Sequence, residues 1–206
     1  MYAPPYNRIE ERAEIAHFMR AHSFCLLVTG VSGELAASHL PCVVEERGEQ
    51  LALMMHMARA NPQWQSFYEG EEVLAVFSGP HAYVSPRWYA DKPRVPTWNY
   101  AAVHAYGSVH IMNEAAAKTD ALRQLVAIHD VTWLTEFESL PEQYMTDMLK
   151  GIVAFEISIT RIETRWKLSQ NRGRREQELI ATALDESGEA GLGALAALTR
   201  RHLVER

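Results

Sequence analysis

The stretch "SFCLLVTGVSGELAASHLPCVVEE", Ser23 to Glu46, decides the fold class. Its first half is an apolar run that reads as a buried strand ending at Gly30. Its second half reads as the antiparallel partner, returning across a tight turn at Ser32-Gly33. Parallel neighbours need a crossover of a dozen or more residues, usually a helix, and this turn is far too short for one. The sheet is therefore antiparallel from its first hairpin onward.

Working outward, Asn7 with Glu10 three residues on resembles a capping box. It predicts a helix with Ile9, Ala13, Ala16 and Met19 on one face. "EQLALMMHM" is a third strand. Asn61-Pro62 is a helix start, an N-cap followed by proline at the first helical position, and the helix is expected to end near Gly70. "EVLAVFSG" and "AYVS" look like one strand interrupted at Gly79-Pro80, and "TWNYAAVHAYGSVHIM" is the next. Asn113 is expected to cap a helix through His129, with another from Pro141 to Leu149. "IVAFEISITRIETRWKLS" alternates as a long strand with Val153, Phe155, Ile157 and Ile159 on one face. The tail from Arg174 holds two helical stretches broken at "ESGEAG". About six strands with short hairpins and inserted helices make a mainly β chain, a small antiparallel barrel with flanking helices.

The chain has 206 residues, 48% of them hydrophobic, enough to bury a core of its own. The N-terminus lacks the order of a signal peptide, and no apolar run reaches membrane-spanning length. Cys25 and Cys42 sit in apolar runs and read as reduced core residues of a cytoplasmic protein. A formal charge of −6 argues against a general nucleic-acid binder. The nine histidines include no i, i+4 pair, and two cysteines cannot build a zinc knuckle, so no metal site is expected. No GxSxG, Walker A or GxGxxG motif occurs.

Four stretches carry chemistry. In "HMARANPQW", Arg59 lies just before a helix start, where backbone N–H groups favour an anion and a guanidinium fork suits phosphate. It could equally be a solvated loop arginine. "GPHAYVSPRWY" sets His81, Tyr83, Trp88 and Tyr89 on a proline-fixed loop, as ligand contacts or as core and dimer contacts. "VPTWNYAAVHAYG" crowds Thr97, Trp98, Asn99, Tyr100, His104 and Tyr106 into ten positions. "WKLSQNR" ends the last strand with Lys167, Ser169 and Gln170. Beside Trp98-Asn99-Tyr100, that set could read the polar edge of a heteroaromatic ring. A helix-turn-helix in the tail is conceivable, but Thr199, Arg200, Arg201 and His202 are nearly all it offers to bases.

Taken in order, "MYAPPYN", "SHLP", "HMARANPQW", "GPHAYVSPRWY", "VPTWNYAAVHAYG" and "WKLSQNR" resemble the PaiB-like family, FMN-binding negative transcriptional regulators of the flavin-binding split-barrel class. The resemblance runs from Met1 to about Arg172. It implies a six-stranded Greek-key split β-barrel over residues 1–172, with a helical tail, 173–206, packed on it. It also implies an intimate homodimer and FMN as cofactor. By analogy with split-barrel flavoproteins, Ser38, His39 and Leu40 on the second strand, with His56, Met57 and Arg59 at the end of the third, hold the phosphate and one side of the ring. Trp98, Asn99, Tyr100, Lys167, Ser169 and Gln170 edge the flavin or its substrate pocket. The function implied is regulation through flavin binding, with DNA or a regulatory partner as a weaker expectation and no membrane partner. The alternatives are an FMN-dependent oxidoreductase without a DNA role, and a haem-binding split barrel using His39, His56, His81 or His104. No catalytic residue is identified.

Overall fold

The computed structural model describes residues 1–31, 34–67 and 71–204. Helix α1 (Arg12–Ala21) is followed by strands β1 (Phe24–Val31), β2 (Glu34–Arg47), β3 (Gln50–Ala58), β4 (Glu72–Val84) and β5 (Thr97–Met112). Helices α2 (Ala115–His129), α3 (Leu134–Glu138) and α4 (Glu142–Lys150) then lead into β6 (Ile152–Lys167). Helices α5 (Arg174–Glu186) and α6 (Leu192–Arg201) complete the order.

The strands close a barrel in the order β1-β2-β3-β6-β5-β4. β1 and β2 pair antiparallel from Phe24↔Pro41 to Val31↔Glu34, as the opening hairpin requires, although Ser32-Gly33 itself lies outside the described residues. β6 pairs antiparallel with β3, Ala58 opposite Ile152, and β1 closes on β4 at Leu27↔Ala75. This is the six-stranded split barrel with flanking helices that the resemblance implies.

The chain divides into two compact units, residues 16–77 with 104–162, and residues 1–15, 78–103 and 163–206. In the former, the barrel unit, Leu27, Leu53, Met55, Phe77, Phe155 and Ile157 are almost wholly buried. Each such side chain contributes roughly 1.5–3 kcal/mol by leaving water. Met54 and Val43 alternate to the other face of β3 and β2, where Ala121 and Leu125 of α2 cover them. Cys25 and Cys42 are buried, unoxidised thiols, and the hydrogen bond between them, together with burial, pushes the Cys42 thiol up. No described helix is long and apolar enough to cross a membrane.

In the other unit, Trp166, Leu168, Ile180, Leu184 and Leu195 are the largest fully buried side chains among the described residues. The tail is integral to it. Glu176, in the first turn of α5, accepts from the backbone N–H groups of Ala90 (3.1 Å) and Asp91 (3.0 Å), and Gln177 donates to the Leu168 carbonyl (3.1 Å).

Several expectations need correcting. No helix opens at Asn7: Pro5–Asn7 is a short 3-10 turn, and α1 begins at Arg12. The reason is Thr164, whose hydroxyl accepts from Ile9 N–H and donates to Ile9 C=O, both at 2.8 Å, holding that segment straight. The buried face of α1 is accordingly Ile15, Ala16, Phe18 and Met19, with Ala13 exposed. Asn61 does cap, accepting from Gln63 N–H at 3.0 Å, but the element it opens is only the 3-10 turn Pro62–Ser66. Gln63 and Ser66 reach Thr29 on β1 instead of continuing a helix; the expected end near Gly70 lies outside the described residues. Asn113 does not cap α2, which starts at Ala115 after Glu114 with no side-chain cap. β4 runs unbroken through Gly79-Pro80, but its buried positions change phase there, from Val73, Ala75 and Phe77 to Ala82 and Val84. β6 makes the same change, from Val153, Phe155 and Ile157 to Thr164 and Trp166, with Ile159 only half-buried.

Candidate functional site

In the barrel unit, Ser38 accepts a hydrogen bond from the Asn61 amide at 2.9 Å, tying β2 to the loop after β3. His39 is exposed and stacks on Phe24, ring centroids 5.9 Å apart. Leu40 and Met57 are core side chains. His56 is half-buried, and burial lowers its pKa, keeping the imidazole neutral to lower pH.

Arg59 is held on several sides. Its Nε donates to the Lys150 carbonyl and its Nη2 to the Ile152 carbonyl, each at 3.0 Å. Its backbone N–H donates to Gly151 O (2.8 Å), and its own carbonyl accepts from Trp64 Nε1 (2.9 Å). The guanidinium also lies 5.6 Å from the centre of the Trp64 ring. Two of its five N–H groups are used by the carbonyls, leaving the Nη1 end as a fixed donor fork.

In the other unit, Lys167 Nζ donates to Thr97 Oγ1. Burial lowers the Lys167 pKa, with the nearby Arg165 charge adding to the effect. The Arg165 guanidinium lies 5.5 Å from the centre of the Tyr2 ring and 5.4 Å from that of Tyr100. Trp98 is 54% exposed, with His81 and Tyr83 about it at 6.3 and 6.2 Å between ring centres.

Asn99, Ser169 and Gln170 are buried and spend their side chains internally. Asn99 Nδ2 donates to Ser169 Oγ at 3.0 Å, and Ser169 Oγ lies 3.1 Å from Asn99 Oδ1. Ser169 sits at φ +63°, a left-handed conformation uncommon outside glycine, which this latch secures. Gln170 accepts from Leu168 N–H (2.7 Å) and donates to the Trp166 carbonyl. These three side chains are spent on internal hydrogen bonds, while Trp98 is exposed and Lys167 bonds Thr97.

Thr97 and Tyr83 stand in the stretches expected to carry chemistry, whereas Arg165 falls just outside them. For Arg165 the signal was in the sequence: two positions from Lys167 on a strand, it shares that residue's face. Unit by unit, a fixed guanidinium suits a phosphate monoester in the one, and exposed rings with a polar edge suit a flat heteroaromatic in the other.

The family model described as "Putative FMN-binding domain" matches residues 1–161. The chain is 36% identical over 181 residues to the protease synthase and sporulation protein PAI 2 of Bacillus subtilis, covering 85% of each. Among solved structures it is similar in fold to an FAD and heme binding protein from Mycobacterium smegmatis (TM-score 0.61, 12% identity, 78% of this chain and 73% of that one). The flavocytochrome Anf3 from Azotobacter vinelandii is another such neighbour (TM-score 0.59, 14% identity, 80% and 72%). With its six-stranded barrel and this match across most of its length, the chain belongs to the PaiB-like family of FMN-binding split-barrel proteins, with FMN as cofactor.

Proposed function

We infer that this chain is a flavin-dependent regulatory protein, a cytoplasmic homodimer in which FMN occupancy governs a negative effect on transcription. The observation that supports flavin binding is the Arg59 guanidinium, held by two backbone carbonyls with its Nη1 end left to donate. Unit by unit, Arg59 is the phosphate ligand, with Ser38, His39 and His56 about the same strand ends. Trp98, Tyr100 and Lys167 are ring contacts for the flavin or its substrate, supported by Asn99, Ser169 and Gln170. Bound flavin supplies electron-transfer chemistry, and the protein's part is to place and tune it.

The regulatory output is proposed to run through a partner rather than through duplex contact by this chain. In α6, the first residues are Leu192, Gly193 and Ala194, and Arg200 is already paired with Asp185 at 2.6 Å. The second reading, an FMN-dependent oxidoreductase, is favoured by the exposed ring cluster about Trp98, which could accept a flat substrate. An absorbance spectrum of the purified protein, before and after adding FMN, tests the cofactor. Flavin bands with quenched fluorescence are expected; a Soret band without flavin binding would replace this reading with the haem one.

A further inference from the structure

Arg59 lines a cleft of about 430 Å³ within the barrel unit, with Asn113, Lys118, Thr146 and Lys150 among its other walls. The residues come from the end of β3, the start of α2 and the end of α4. Three of them are cationic, and no carboxylate lines the cleft among the described residues, in a chain whose net charge is −6. Lys150 is partly compensated by Asp147 at 2.8 Å. Arg59 and Lys118 have no carboxylate partner among the described residues. Two cations facing one cleft without counter-charge repel each other, and an anion between them would relieve that cost.

We propose that this cleft binds a phosphate monoester, with Lys118 and Lys150 completing the donor set that Arg59 begins. The Arg59 guanidinium is already immobilised by two backbone carbonyls, so little side-chain entropy remains to be lost on binding. Lys118 and Lys150 add point charges, and Thr146 and Asn113 add neutral donors. The phosphate is that of FMN or of a second phosphorylated small molecule. The first source rests on the proposed flavin function; the second does not.

The test uses the full chain and its Lys118→Met variant, which keeps the apolar stem and removes the charge. FMN, riboflavin and glycerol phosphate are each titrated by calorimetry, with the melting temperature of both proteins as a check on folding. A loss of about tenfold or more in FMN affinity with riboflavin unchanged supports the cleft as the flavin's phosphate site. Unchanged flavin affinities with loss of glycerol phosphate binding support a second phosphorylated ligand. If all three affinities survive, if FMN and riboflavin weaken equally, or if the wild-type chain binds no phosphate compound, the proposal is overturned. Wild-type binding of glycerol phosphate, dependent on Lys118 but without FMN or riboflavin binding, would sink the flavin reading and keep the cleft. Lys150→Met is expected to repeat the pattern more weakly, since Asp147 already offsets its charge.

Discussion

Arg59 illustrates how one side chain can be both brace and ligand. Its two carbonyl bonds fasten the end of β3 to the start of β6, so Arg59→Ala removes structure as well as charge. A charge-assisted hydrogen bond to phosphate is worth roughly 1.5–3 kcal/mol, so FMN binding is expected to weaken about 10- to 150-fold. A fluorescence titration on a mutant of verified fold checks this, and undiminished affinity would remove Arg59 from the phosphate site. His56 makes a different prediction at the same scale. Burial lowers its folded pKa below the ordinary value of 6.5, as it does for His22. Above that value both folded and unfolded imidazoles are neutral, and no stability depends on them. As pH falls below it, the unfolded chain takes up protons that the folded chain refuses, so stability declines. Urea midpoints are expected to drop from pH 7 to pH 5, and His56→Gln should flatten that slope.

Among the elements, β5 and β6 approach closely at Gly107. A Cβ added at Gly107 would stand 2.2 Å from the Ser158 carbonyl oxygen and 2.9 Å from the Ile157 side chain. Backbone cannot step aside as a flexible side chain can, so β6 itself would have to move. Gly107→Ala is expected to cost about 3 kcal/mol, the upper end for overpacking, which for a chain this size lowers the melting temperature by roughly 6–12 °C. Calorimetric melting of the variant decides it; a melting temperature unchanged within error would mean the strands are not pressed together here. Glycine inside a strand signals close backbone approach. Which strand approaches is a matter of topology.

For the whole molecule, two predictions concern association. Trp98, Tyr83, Tyr2 and Phe24 are each 47% exposed or more, a large aromatic area for a lone chain to leave in water. A homodimer is expected, and light scattering at micromolar concentration that returned the mass of one chain would refute it. Strong intrinsic affinity for duplex DNA is not expected. Of the basic stretch from Arg161 to Arg175, Arg161 pairs with Glu72, Arg165 lies by Tyr2 and Tyr100, and Arg174 pairs with Glu178. Few cations then remain to release counterions from phosphates. Mobility shifts at about 150 mM salt, with and without flavin, should show no sequence-selective complex tighter than about 10⁻⁸ M, and one that tight would restore direct repression.

What could be read from the sequence alone was what near neighbours along the chain control. A turn too short for a crossover made the sheet antiparallel. The stretch of β5 was legible as a strand, alternation gave the buried side of the first half of β6, and asparagine before proline placed the cap at Asn61. The motif order identified the family. Tertiary structure alone decided where the polar side chains spend their hydrogen bonds, because their partners lie far away in sequence. Thr164 reaches Ile9 and cancels a helix that local spacing favours. Ser169 closes on Asn99 across 70 positions, so the two side chains form a buried latch. Arg59 meets the carbonyls of Lys150 and Ile152, and its cleft gathers Lys118 from a third element. Burial compels a polar group to find a partner, but only the closed chain determines which partners are within reach.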